Sequence, residues 1–259
     1  MKHRFKLRLN IKKIVTILSV LLGILVILSI IGSYFFNYLG YQTSLSGLYV
    51  KLFDLNTEGN FPTLFSTLNL LGASLLLALV FIKRSISDHP DRNYWIFLSA
   101  VFLFLAMDEA LSIHEKVTNM INLVGSEGNI SSISERPAIF RYAWVIPYFL
   151  LVVALFLFLY RFLFRLPART RNLFILSGAI FVVGAVGLEF LQGYYDTLYE
   201  TISGPNYETV VLYTIEETME MAGVILFIYT IMKYLAENQE SVRITFQQKF
   251  KNKRVEQLQ

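Results

Sequence analysis

The sequence predicts an all-α integral membrane protein, a bundle of about six transmembrane helices with both termini on the cytoplasmic side. Three observations carry that expectation. Of the 259 residues, 55% are hydrophobic and only 16% charged, where a soluble domain carries about 25% charged residues. The apolar residues are gathered into runs of roughly 20, the length that crosses a hydrocarbon core about 30 Å thick. The basic residues fall on alternate connections between those runs, as the positive-inside rule requires of a chain that crosses repeatedly.

The first run extends from Ile14 to Phe36. Residues Met1 to Lys13 before it are basic, as in a signal peptide. The run is longer than the roughly 7–15 apolar residues of a signal peptide and no A-x-A site follows, so it is read as an uncleaved span. The second run is Phe61 to Ile82, the third Tyr94 to Ile113, the fourth Ala143 to Phe164, the fifth Leu173 to Gln192 and the sixth Val210 to Leu235. Residues 1–235 thus form a single bundle, and 236–259 a polar, basic cytoplasmic tail.

Lys and Arg set the orientation. The N-terminal segment, the connection with Lys83, Arg84 and Arg92, the connection with Arg161, Arg165, Arg169 and Arg171, and the tail together hold 19 of the 23 basic residues. Lys51, Lys116, Arg136 and Arg141 are left for the other face. Both termini are therefore expected inside the cell membrane. The outer connections run from Asn37 to Asn60, Lys116 to Arg141 and Gly193 to Thr209. Tyr41, Tyr49, Tyr142, Trp144, Tyr194 and Tyr195 fall at the outer boundary, where amphipathic rings settle at headgroup level.

Carboxylates inside the apolar runs are the functional signal. The third span ends Asp108-Glu109-Ala110-Leu111-Ser112-Ile113-His114-Glu115, the fifth carries Glu189 and Gln192, and the sixth carries Tyr213, Glu216, Glu217 and Glu220. Asp108 is about 21 Å along the axis from the inner end of its helix, and the glutamates of the sixth span are about 9–15 Å from its outer end. With Glu189 near the outer end of the fifth span, all three groups are expected in the outer half of the bundle. At 100° per residue, Glu216, Glu217 and Glu220 share one arc of about 100°. On the third span Asp108, Ser112 and Glu115 share a face, with Glu109 and His114 about 100° and 120° to either side. Those groups converge only if the helix distorts or ends there.

A lone carboxylate at mid-membrane costs at least about 2.5–3.5 kcal/mol, so such groups face an interior or a wet cavity and are paired. No Lys or Arg lies at this depth on the third, fifth or sixth span. Protons, water or a divalent cation must then balance the charge. Asp, Glu and one His form a hard ligand set suited to Mg, Mn, Ca, Zn or Fe. The candidate ligands are Asp108, Glu109, His114, Glu115, Glu189, Glu216, Glu217 and Glu220, with Ser112, Gln192 and Tyr213 as hydrogen-bonding support. Glu217 and Asp108 are the candidate catalytic groups. Solvated headgroup placement is the competing reading for Glu115 and Glu189, and a backbone hydrogen bond for His114.

Several chemistries are excluded. There is no cysteine, so thiolate sites and cysteine nucleophiles are absent. Of the three histidines only His114 reaches the acidic residues, which rules out histidine-box desaturases. No Glu is followed three residues later by His, so the ligands of ferritin-like di-iron bundles are missing. Nor is there an H-E-x-x-H, G-x-S-x-G, phosphate-binding or dinucleotide motif, and nucleic-acid binding has no support. Three function classes stay open: a metal-dependent membrane hydrolase or transferase acting on a lipid-linked or amphipathic substrate, a cation- or proton-coupled transporter, and a non-catalytic scaffold or accessory subunit. The bilayer is the one expected partner common to all three.

Overall fold

The structure, a computed structural model, describes residues 10–38, 43–114, 116, 117, 120, 145–192 and 207–237. Among the described residues every regular element is helical. In chain order these are α1 (Ile11–Ser33), α2 (Ser44–Phe53), α3 (Phe61–Ile86), α4 (Arg92–Leu111), α5 (Val145–Arg165), α6 (Ala168–Val182) and α7 (Tyr207–Glu237). Two π-helical segments, Tyr34–Tyr38 and Val183–Leu188, continue α1 and α6. Six helices are long and apolar enough to cross a membrane, and they coincide with the six expected runs. The short α2 lies in the connection where no element was expected.

Local chemistry fixes the helix starts. Asn10 accepts from the Lys13 amide at 3.1 Å and opens α1. Thr43 and Ser46 form a reciprocal capping box for α2, which satisfies two otherwise orphaned amides. Asn60 accepts from the Thr63 amide at 3.1 Å to open α3, with Pro62 in the first turn, where a missing N–H costs nothing. Pro167 stands between α5 and α6 and forces their tight reversal.

The bundle is built around α7, which packs against α1, α3 and α6. Of its membrane-length window 56% is buried, against 11% for α1. A large core of Leu70, Leu77, Trp95, Leu98, Phe162, Phe227 and Ile231 fills the half of the bundle holding the α3–α4 and α5–α6 turns. Trp95 sits between Phe162 (ring centroids 5.0 Å) and Tyr234 (4.9 Å). Polar contacts close that end: Arg165 donates to Asp91 at 2.6 Å, Arg84 to the Tyr234 hydroxyl, and Arg92 to Asp88. A second, smaller core of Leu22, Leu55, Tyr213, Met221 and Ile225 joins α1 and α7 to the segment after α2.

Glycine sets the α6–α7 spacing. A Cβ at Gly223 would lie 2.9 Å from the Phe181 nitrogen, and one at Gly184 3.1 Å from the Glu216 carbonyl oxygen. Close approach at these two positions, which small residues permit between helices, holds the π-helical continuation of α6 against the acidic stretch of α7.

Candidate functional site

The C-terminal end of α4, the C-terminal end of the fifth span, the N-terminal half of α7 and the strap of residues 54–60 meet at one end of the bundle. It is the end opposite the Arg84, Arg92 and Arg165 contacts. α4 stops at Leu111, where Ser112 takes the left-handed conformation (φ 49°, ψ 50°). That turn carries the chain back over its own last turn, so the His114 amide donates to Asp108 Oδ1 at 2.9 Å. Asp108 is buried, and the same oxygen also accepts from the Tyr148 hydroxyl at 3.2 Å. The helix thus ends at Leu111, two residues short of the expected Ile113.

His114 lies between two carboxylates. Its Nδ1 is 3.6 Å from Asp108 Oδ1 and its Nε2 is 3.8 Å from Glu58 Oε1. Burial disfavours the imidazolium, but the hydrogen bond and charge of Asp108, with the charges of Glu58 and Glu220, outweigh it and push the imidazole up to about 9. With a carboxylate beside each ring nitrogen, the positively charged ring is ion-paired on both sides.

Glu58 is brought there by the strap. The Asn60 side chain donates to the Asp54 carbonyl at 2.6 Å, and Thr57 Oγ1 donates to Asp54 Oδ2 at 3.1 Å. The Leu55 amide donates to Ser29 Oγ at 3.1 Å. Tyr213 completes this lattice, with its hydroxyl 3.1 Å from Ser33 Oγ and hydrogen-bonded to Asp54. Tyr213 therefore ties α7 to α1 and the strap, rather than supporting the α7 glutamates directly.

On the other side, Gln192 donates to Glu216, which lies beside Glu189. Glu109 lies next to Ser66 on α3. Glu217 and Glu220 stand between these groups. Glu220 is within electrostatic reach of Glu109, Glu189, His114 and Asp108, and Glu217 within reach of Glu220, Glu109, Glu58 and Glu189. Among the described residues, neither Glu217 nor Glu220 accepts a hydrogen bond or forms an ion pair. Both keep some accessible surface.

The contacts are pairwise. Among the described residues, no three acidic or histidine side chains are arranged to hold one metal ion. Lys116, at the rim, donates to the Leu111 carbonyl at 2.6 Å rather than to a carboxylate. Glu115 lies outside the described residues, and Ser112 contributes its backbone turn.

Sequence reasoning missed Glu58, Ser66, Asp54 and Tyr148. Tyr148 is in the first turn of α5 and Glu58 three residues before α3, so topology alone puts both at this end. Their signal was position, since neither interrupts an apolar run with a carboxylate.

No curated protein and no solved structure matches the chain. A family model does match, over residues 18–235, from within α1 to the last turn of α7. The chain belongs to that family, described as "Domain of unknown function (DUF8692)".

Proposed function

We propose that the chain crosses the cell membrane six times with both termini in the cytoplasm, and that its outward-facing acidic end binds a divalent cation used on a lipid-linked or amphipathic substrate. The observation that carries this reading is the state of Glu217 and Glu220. They lie on adjacent turns of the most buried helix, within electrostatic reach of Glu109, without a hydrogen bond or ion pair among the described residues. Carboxylates inside a bundle are paired, protonated or cation-bound. Oxygen ligands of this kind suit Mg, Ca or Mn, with Zn or Fe also accommodated.

The geometry divides the sequence-derived set into parts. Glu109, Glu217 and Glu220 are the proposed cation ligands. Glu189 and Glu216, side by side and steadied by Gln192, flank them. Asp108 holds His114, whose positive charge offsets part of the excess of acids. Bound there, a divalent cation would supply Lewis-acid polarisation of a phosphoryl or carbonyl oxygen. A carboxylate of this group released from the ion would be free to take a proton.

Transport through the bundle is the weaker alternative. Among the described residues, the half of the bundle beyond the carboxylates is packed with Leu70, Leu77, Trp95, Phe227 and Ile231, which disfavours passage of an ion inward.

Elemental analysis of the protein purified in detergent, with Mg, Ca, Mn, Zn and Fe each offered, tests the proposal. Stoichiometric metal that is lost in both Glu217→Gln and Glu220→Gln supports it. A folded wild-type protein that binds none of the five overturns it and leaves the scaffold reading.

A further inference from the structure

The strap reaches the acidic end through α2, and α2 has two apolar faces. One face packs on the bundle. The Tyr49 hydroxyl donates to the Leu28 carbonyl at 3.0 Å, a Cβ on Gly32 would lie 3.7 Å from Val50 Cγ2, and the Phe53 ring stacks on Phe61 at 5.3 Å. The other face carries Leu45 and Leu48, which are 76% and 53% exposed, with Lys51 also exposed beside them. A short helix covering only a bundle end would turn polar residues outward.

The level of α2 along α1 says what covers the leucines. The first membrane-length helix ends at Phe36. Gly32, which touches Val50, is four residues before that, about 6 Å back along the axis. α2 therefore lies beside the last turns of the first span and not beyond them. The neighbouring surface of α1 is itself apolar and exposed, with Ile27 58%, Ile30 49% and Tyr34 50% accessible.

We propose that α2 is an interfacial helix seated in phospholipid, with Leu45 and Leu48 at the boundary of headgroup and acyl chain and Lys51 extended to the phosphates. Apolar residues on one face with a flexible basic side chain beside them are what that boundary takes up. The strap bearing Glu58 is then anchored in lipid at α2 and in the bundle at Asn60. This inference rests on the membrane placement proposed above and is independent of cation binding.

The chain has no cysteine, so one nitroxide can be placed at will. Leu48→Cys, Ile27→Cys and Asn56→Cys, each spin-labelled in phosphatidylcholine–phosphatidylglycerol vesicles, are compared for collision with oxygen and with a water-soluble nickel chelate. Oxygen should dominate at Ile27 and nickel at Asn56. At Leu48 oxygen should exceed nickel by several-fold, at a depth shallower than Ile27. Nickel accessibility at Leu48 equal to that at Asn56 overturns the proposal. So does spin–spin broadening at Leu48 that dilution with unlabelled protein removes, since a second copy would then cover the face. Nickel dominance at Ile27 overturns the membrane placement as well, which separates the two failures.

Discussion

Gly223 of α7 faces the backbone of Phe181 on α6 so closely that a Cβ added to it would stand 2.9 Å from the Phe181 nitrogen and 3.0 Å from the Ser177 carbonyl oxygen. Both neighbours are backbone, which cannot rotate away. Gly223→Ala should therefore separate the helices and cost about 1–3 kcal/mol. Gly178→Ala, on the same helix as Phe181 but with nothing within 4 Å of its added Cβ, should be neutral or slightly stabilising, because Ala favours helix over Gly by about 1 kcal/mol. Thermal unfolding in detergent, followed by intrinsic fluorescence, compares the two.

The imidazole of His114 supplies a pH dependence with a defined sign. Its value in the folded protein is about 9 against an ordinary 6.5. A raised value means that the stabilising contribution is complete below about pH 6.5 and is lost as pH rises through about 9. The melting temperature of the wild type should exceed that of His114→Gln by a constant margin at pH 5.5–6.5. The margin should shrink between pH 7 and 9.5, by on the order of 2 kcal/mol in all. A margin that widens with pH contradicts the placement of His114 between Asp108 and Glu58.

Asp54 organises the strap through Thr57, Ser29 and Tyr213. Asp54→Ala should leave those donors without their acceptor, at a local cost of about 1–3 kcal/mol. The six spans would stay packed, so the change should be confined. Faster hydrogen exchange at the Leu55 amide and earlier proteolysis between residues 54 and 60 are expected, with the helical signal unchanged.

At the opposite end, Trp95 and Arg165 should behave differently despite their similar place in the fold. Trp95 is 1% exposed between two rings, and Trp95→Ala should cost about 3–5 kcal/mol through lost packing. The Arg165 side chain is 53% exposed beside Asp91, so Arg165→Ala should cost less than about 1 kcal/mol. The same unfolding measurement decides both.

The six long apolar helices were legible because length and apolarity are properties of each segment alone. Phe61, Phe36 and Gln192 bound their helices as expected, and the remaining ends differ from the structure by a few residues. The third span stops at Leu111 instead of Ile113, because Ser112 adopts a left-handed turn that no apolar pattern announces. α2 was missed because its leucines are too few to form a run. In the acidic region, the face shared by Glu216, Glu217 and Glu220 was visible from helical spacing. Glu58 was not, since its approach to His114 depends on hydrogen bonds from Asn60 and Thr57 to Asp54, far from any helix periodicity. Tyr213 was on the right helix and was given the wrong neighbours, because sequence alone does not say that the strap folds in beside it.

The π-helical segment Val183–Leu188 has a consequence for heredity. A π segment is an α-helix with one residue too many in a turn, so everything after it is rotated by about 100° from where an uninterrupted helix would put it. Glu189 and Gln192 owe their facing toward Glu216 to the π turn, which absorbs that surplus residue. Loss of a single codon within 183–188 would leave both residues in the protein and the span still long enough to cross. It would turn the π segment into ordinary helix and leave both facing Glu216, so this stretch tolerates a one-residue deletion that ordinary helix, where the same loss turns everything beyond it by about 100°, does not.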